Sequence, residues 1–131
     1  LGLIHSIATT AANEHDITQV DKLLHDEEQR VWGDAGFQGV DKREEHKTRE
    51  VDWFIAMRPG KRAKLAKSDP QAQAEKIKAS VRAKVEHAFF YIKRVFHYSK
   101  VRYRGLEKNT NRLYVLAGLA NLLRMKSCLL P

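Results

Sequence analysis

Residues 72–99 have the sequence AQAEKIKASVRAKVEHAFFYIKRVFHYS, and the rest of the chain is organised around this stretch. Apolar side chains recur in it every three or four residues, which is typical of a long helix with one face on a core. These side chains are Ile77, Val81, Val85, Phe89, Ile92, Val95 and Phe96. Arg82 and Glu86 lie only about 40° apart around such a helix, with Lys93 between them. The stretch therefore predicts a long helix with a charged edge beside its buried face.

The charged edge formed by Arg82, Glu86 and Lys93 has two interpretations. A Glu four residues from a basic residue is ordinarily a solvated ion pair worth about 0.3–0.5 kcal/mol. Taken alone, the edge favours this interpretation. A carboxylate held between two cations at the border of a core is instead suited to binding a metal or facing an anionic substrate. A second motif, described below, favours the functional interpretation.

Composition restricts the class of protein. The chain has 131 residues and 43% hydrophobic content, which predicts one domain with a real core. Its 24 Lys and Arg against 16 Asp and Glu give a net charge of +8, which favours a polyanionic partner, nucleic acid before an acidic membrane. The single cysteine, Cys128, excludes an internal disulfide and is typical of a cytosolic protein. The longest apolar segment, residues 113–123, is far shorter than the ~20 residues that cross a bilayer.

The chain before the long helix predicts strands joined by a helix and a turn. The β-branched and apolar run LGLIHSIATTAA, residues 1–12, is typical of a strand. Asp16 has the character of an N-cap, and apolar residues at helical spacing predict a helix over residues 16–29. Residues 30–33 predict a second strand, and a turn with two glycines, DAGFQG at residues 34–39, follows directly. The Asp that opens this turn stands where α/β sheets place their chemistry, at the carboxyl end of a strand.

Three further elements are predicted around the long helix. Residues 51–58 (VDWFIAMR) predict a strand that is buried on both faces and that ends at the following Pro-Gly pair. Residues 61–73 are rich in cations and predict a solvated linker with partial helix. The final element is a helix over residues 113–126, apolar nearly all round and capped by Asn109 or Thr110.

Asp34 in its DAGFQG turn, with Arg82, Glu86 and Lys93 downstream, resembles the bacterial insertion-sequence transposases of the DDE type. In that family a catalytic Asp lies in a segment like Asp-Ala-Gly-Tyr-x-Gly. The catalytic Glu lies in a Tyr-x2-Arg-x3-Glu-x6-Lys signature, which the three downstream residues match in spacing. The segments AMRPGKR, RAKVEH and KVRYRGLEKN are also similar to segments of this family, so the resemblance covers essentially the whole chain.

The resemblance implies an α/β fold of the RNase H-like (retroviral-integrase-like) type, with a mixed sheet and long C-terminal helices. It implies DNA transposition, with double-stranded DNA as partner, no membrane partner and a cytoplasmic location in bacteria. Asp34 and Glu86 are the implied catalytic residues and ligands of Mg²⁺ or Mn²⁺, in a chemistry that joins three carboxylates around two metals. Arg82 and Lys93 are expected to hold DNA phosphates. Five further expected phosphate contacts are Lys61, Arg62, Lys100, Arg102 and Arg104.

Several positions depart from the family pattern. Phe37 replaces the usual Tyr of the turn, Ala79 stands where the signature Tyr belongs, and Ala88 stands where relatives often have Pro. The family's first catalytic Asp, which lies on a strand upstream of the segment that residues 1–12 resemble, has no counterpart. Asp16 and Asp21 cannot replace it, because they belong to the first predicted helix.

These departures lead to two expectations for the chain as it stands. Residues 1–131 are expected to be the C-terminal portion of a catalytic domain, with the first two strands missing, no cleavage activity, and self-association through an open sheet edge. The alternative is a basic DNA-binding remnant, or a truncated product that interferes with the intact enzyme, with no catalytic role.

Overall fold

The computed structural model of the chain describes residues 2–130, which divide into two compact units where the length predicted one domain. The strand unit comprises residues 14–83, and the helical unit comprises residues 2–13 and 84–130. The strand unit is mixed α/β, and the regular elements of the helical unit are helices. None of the helices described is long and apolar enough to serve as a membrane span.

A short parallel sheet forms the centre of the strand unit. Strand β1 (Arg30–Gly33) pairs with strand β2 (Asp52–Ile55), and the register aligns Arg30 with Asp52. Trp32 and Phe54 stack across the pair with ring centroids 4.2 Å apart. The bounds predicted for β1 are confirmed. Within the described residues the sheet is purely parallel, where a mixed sheet was expected, and β2 is shorter than predicted and only half-buried.

The helix predicted over residues 16–29 is much shorter in the structure. A 3₁₀ turn (Asp16–Gln19) leads into helix α1 (Val20–Leu23), and His15, not Asp16, is the N-cap residue. The helix stops because Leu24 adopts an extended conformation. The backbone N–H of His25 then donates to the Glu28 carboxylate, which gives this amide a partner outside the helix.

The connection between the strands is a series of 3₁₀ turns, and two helices follow β2. The turns cover Ala35–Phe37, Val40–Lys42 and Glu44–His46. The predicted linker, residues 61–73, contains the second half of helix α2 (Pro59–Arg62). Helix α3 (Pro70–Phe90) begins at a proline, which suits the first turn of a helix. The buried apolar residues of the unit are Val20, Val40 and Ala56.

The helical unit contains the end of α3, a π-helical turn (Tyr91–Val95) and helix α4 (Leu106–Leu129). The long helix is confirmed as a feature, but its α-helical hydrogen bonding ends at Phe90, not at residue 99. Helix α4 begins seven residues before the predicted start, so neither Asn109 nor Thr110 is its cap; Gly105 is. The core consists of Ile92, Leu116 and Ala120, with Ile4, Tyr91, Phe96, Tyr98 and Leu113 packed against it.

The strand predicted at residues 1–12 is wrong for its described part, residues 2–12; Leu1 lies outside the described residues. Side chains of α4 bind this segment instead of a neighbouring strand. Asn121 accepts from the Ile4 N–H (2.8 Å) and donates to the Ile4 carbonyl (2.7 Å). The Tyr114 hydroxyl donates to the Ile7 carbonyl (3.0 Å). The strand edge through which self-association was expected is therefore not formed in residues 2–12.

Candidate functional site

A groove of about 500 Å³ opens in the strand unit beside the carboxyl ends of β1 and β2. Charged side chains of both signs and apolar side chains line it, in the position that a parallel sheet favours for a ligand. Its lining residues are His15, Asp16, Asp34, Ala35, Gly36, Phe37, Ala56, Met57, Pro59, Arg62 and Arg82.

Asp34 is held in this groove by the turn that follows β1. Its Oδ1 accepts from the Gly36 N–H (2.8 Å), and its carbonyl accepts from the Phe37 N–H (3.1 Å). The side chain caps the 3₁₀ turn and stays exposed. Gly39 ends the turn with a φ of 87°, a conformation that favours glycine. The DAGFQG motif therefore fixes the Asp34 backbone while leaving Oδ2 with no hydrogen bond to residues 2–130.

Side chains from the Asp34 turn and from α3 bind the backbone at the end of β2, which forms one wall of the groove. The Ala56 N–H continues the sheet by donating to the Gly33 carbonyl (2.9 Å). Gln38 Nε2 donates to the Ala56 carbonyl (2.6 Å), which ties the Asp34 turn to this wall. From α3, Lys78 Nζ donates to the Ile55 carbonyl (2.9 Å). The Ile55 and Ala56 carbonyls and the Ala56 N–H thus have partners without a third strand.

Glu75 on α3 holds the backbone of this wall without lining the groove itself, and it was not predicted from the sequence. Its side chain is only 2% exposed; it accepts from the Met57 N–H (2.9 Å) and pairs with Lys78 (2.7 Å). Burial raises the pKa of this carboxyl, but the Lys78 and Met57 hydrogen bonds and the charges of Lys78 and Arg62 outweigh it, so the pKa is lowered overall. The available signal was a Glu three residues before a Lys on the helix face that meets the sheet.

Arg62 and Arg82 bring two positive charges to the groove. Arg62 ends helix α2 and is exposed, whereas Arg82 lies half-buried on α3. Two predicted phosphate contacts and the predicted catalytic Asp34 therefore line one surface. Lys61, beside Arg62, is exposed but is not among the lining residues. Two guanidinium groups that line one groove are suited to binding a phosphate ester.

His15 and Asp16 also line the groove, although the sequence analysis gave neither a role there. Asp16 supplies a second carboxylate from the 3₁₀ turn that precedes α1. Across the described residues 2–130, no group of three or more His, Cys, Asp or Glu side chains is placed to hold a metal ion. The Asp34 carboxylate can therefore supply an oxygen ligand to Mg²⁺. Phosphate oxygens and water would complete the coordination of the ion.

The remaining predicted site residues belong to the helical unit. Glu86 lies exposed on α3. Lys93 lies on the π-helical turn, with its ammonium 5.3 Å from the centre of the Phe89 ring. Because a π turn winds fewer degrees per residue than an α turn, the stripe predicted for Lys93 from α-helical spacing does not hold there. Three further cations, Lys100, Arg102 and Arg104, are exposed in the irregular segment before α4.

Comparison with known proteins gives one family. The family model described as Transposase DDE domain matches residues 1–122, which is nearly the whole chain. No solved structure matches the chain with significance.

Proposed function

Because the chain belongs to the transposase DDE domain family, we propose that it acts in DNA transposition through the groove of the strand unit. In this proposal Asp34 is a metal ligand, and Arg62 and Arg82 bind DNA phosphate. The partner is double-stranded DNA in the bacterial cytoplasm. The observation that supports the proposal is the common lining of one groove by these three side chains.

The geometry of Asp34 supports a ligand role. Its capping bond to Gly36 uses one oxygen and orients the carboxylate, while the residue stays exposed. Mg²⁺ is commonly bound through one or two carboxylates together with substrate phosphates and water. The arginines of the groove can place such a phosphate beside Asp34. The site is thereby expected to bind a metal far better with DNA present than without it.

Glu86 is proposed as the second carboxylate ligand, on the basis of the signature spacing. The family generally uses divalent metal ions, and Mg²⁺ or Mn²⁺ is the proposed cofactor. When bound, such an ion polarises a phosphoryl oxygen and lowers the pKa of a coordinated water. The protein's own contribution is to orient the carboxylates and to hold the DNA backbone.

The other cations are proposed to hold DNA phosphates beyond the groove. These are Lys61 in the strand unit and Lys93, Lys100, Arg102 and Arg104 in the helical unit. Such contacts fix the position of a duplex without reading its sequence. Binding is therefore expected to depend weakly on sequence and strongly on salt.

Metal binding by the Asp34→Asn variant tests the proposal. The full chain is mixed with Mn²⁺ and duplex DNA, and bound Mn²⁺ is measured by electron paramagnetic resonance. Asp34→Asn removes a ligand charge with little change of shape and is expected to lower DNA-dependent Mn²⁺ binding at least tenfold. Asp41→Asn, an exposed change outside the groove, is the matched control. Unchanged Mn²⁺ binding by Asp34→Asn would show that the residue is misassigned.

The same measurement tests Glu86. Glu86→Gln is expected to weaken Mn²⁺ binding while leaving DNA binding intact, and Glu107→Gln, an exposed change in the first turn of α4, is its control.

A second candidate function is DNA binding without strand cleavage. The exposed cations before α4 favour it, because they need no carboxylate to hold a phosphate backbone. Tight DNA binding by the wild-type chain without DNA-dependent Mn²⁺ binding would select this candidate.

A further inference from the structure

The segment between the π-helical turn and α4, residues 97–105, carries an unusual concentration of exposed positive charge. We name it the basic loop. It contains Lys100, Arg102 and Arg104 but no acidic residue, and Val101 at its centre is 71% exposed. None of the three cations forms an ion pair within the helical unit as described. An isolated segment of this composition repels itself and is expected to be disordered.

Asn109 on the first turns of α4 holds the basic loop at its carboxyl end. Its Nδ2 donates to the carbonyls of Tyr103 (2.6 Å) and Gly105 (2.7 Å), and its Oδ1 accepts from the Tyr103 N–H (3.3 Å). Gly105 turns the chain into α4 with a φ of 88°, which favours glycine. One neutral side chain thus satisfies three backbone groups of the loop.

Arg112, one turn further along α4, holds the loop through two tyrosine rings. Its guanidinium carbon lies 5.2 Å from the centre of the Tyr98 ring and 5.8 Å from that of Tyr103. Tyr98 packs against the core of the helical unit, and its N–H donates to the Ile92 carbonyl (3.0 Å). In sequence, Lys100 and Arg102 lie between the two tyrosines, and Arg104 follows Tyr103 directly. Arg112 therefore joins both ends of the loop to the core.

From this arrangement we propose that the basic loop is a preordered binding surface for the phosphate backbone of duplex DNA, with Asn109 and Arg112 as its positioning residues. The inference rests on the proposed DNA binding and assigns part of it to this loop. A loop that is already ordered before binding loses less conformational freedom on the DNA. More of the free energy of its contacts therefore appears as binding affinity. Asn109 itself touches no phosphate; it acts by holding Tyr103 and Gly105.

The test compares a positioning variant with a charge variant of the full chain. Binding of a fluorescent DNA duplex is measured by anisotropy at several salt concentrations. Asn109→Ala keeps every charge and is expected to lower affinity about tenfold with an unchanged salt dependence. Arg102→Ala removes one phosphate contact and is expected to reduce the slope of log affinity against log salt by about 0.9. Asn111→Ala, an exposed Asn on the same helix, is the control and is expected to bind as the wild type does.

A second readout needs no DNA. Hydrogen exchange at the Tyr103 amide is expected to be faster in Asn109→Ala than in Asn111→Ala, since only the former loses the acceptor of that amide. Wild-type affinity in an Asn109→Ala variant that shows the faster exchange would overturn the positioning role. If both Asn109→Ala and Arg102→Ala bind DNA as the wild type does, the basic loop is not the surface, although DNA binding through the groove survives. Failure of the wild type to bind duplex DNA would overturn the proposed function itself.

Discussion

Replacement of Glu75 by alanine is expected to lower the free energy of unfolding of the strand unit by about 3 kcal/mol. The carboxylate accepts from the Met57 N–H and pairs with Lys78, and hydrogen bonds to charged groups contribute about 1.5–3 kcal/mol each. Breaking a fully buried ion pair costs about 3–5 kcal/mol, but the upper part of that range does not apply here. Lys78 keeps a side chain exposure of 21% and can be rehydrated.

The Glu75→Gln variant separates charge from hydrogen bonding. Glutamine keeps an acceptor for the Met57 N–H, so a smaller loss of about 1–2 kcal/mol is expected. Because the pKa of Glu75 is lowered in the folded protein, the stability that its charge contributes is fully present above its unfolded pKa of about 4.3. That contribution is lost as the pH falls through the folded pKa. The difference between wild type and Glu75→Gln is therefore expected to be largest near neutral pH and to shrink below about pH 4.

Urea unfolding followed by tryptophan fluorescence measures this loss directly. Both tryptophans, Trp32 and Trp53, lie in the sheet of the strand unit and report on it. Glu50→Gln, an exposed change in the same unit, is the control for altered net charge. A loss below about 0.5 kcal/mol in Glu75→Ala, the size of an ordinary surface change, would refute the reasoning. A Glu75→Gln deficit of equal size at pH 3 and pH 7 would refute the assignment of a charged carboxylate.

Two further predictions concern stability. His46 is 2% exposed, neither ring nitrogen has a hydrogen-bond partner among residues 2–130, and its ring lies edge-on to Trp53 with centroids 5.2 Å apart. His46→Phe is expected to raise the free energy of unfolding by about 1 kcal/mol, since it removes the unpaired polar atoms and keeps the ring contact; a lower urea midpoint would contradict this. Asn121→Leu removes both hydrogen bonds to the Ile4 backbone and is expected to speed proteolysis within residues 2–10. Cleavage at the wild-type rate would contradict this.

Local sequence signals were sufficient for the part of the fold that holds Asp34. Strand β1 has the predicted bounds because a short apolar run is followed at once by a turn motif with two glycines. The same motif predicted that Asp34 would stand at the carboxyl end of a strand beside a crevice. Arg62 and Arg82 were predicted as phosphate contacts, and the structure brings both to the groove.

Features that depend on distant partners could not be predicted in this way. Residues 1–12 have strand-like composition, but a strand exists only when another strand pairs with it, and the side chains of α4 bind residues 4–9 instead. The local signal for Glu75 is a Lys three residues later, which is common on helices; its importance comes from Met57, which lies 18 residues earlier in the chain. The proposed roles of Glu86 and Lys93 still rest on the signature spacing.

The π-helical turn at Tyr91–Val95 has a consequence for how the chain tolerates changes in length. Its wide turn closes when the Phe96 N–H donates to the Tyr91 carbonyl five residues earlier, at 2.9 Å, where an α-helix would span four. The turn therefore stores one surplus residue. Deletion of a single residue within this turn would allow ordinary α-helical hydrogen bonding and would change the direction in which the basic loop leaves the helix. A one-residue deletion at this place is therefore an adjustment of hydrogen bonding within the turn, whereas inside an ordinary α-helix it rotates every later residue by about 100° around the axis.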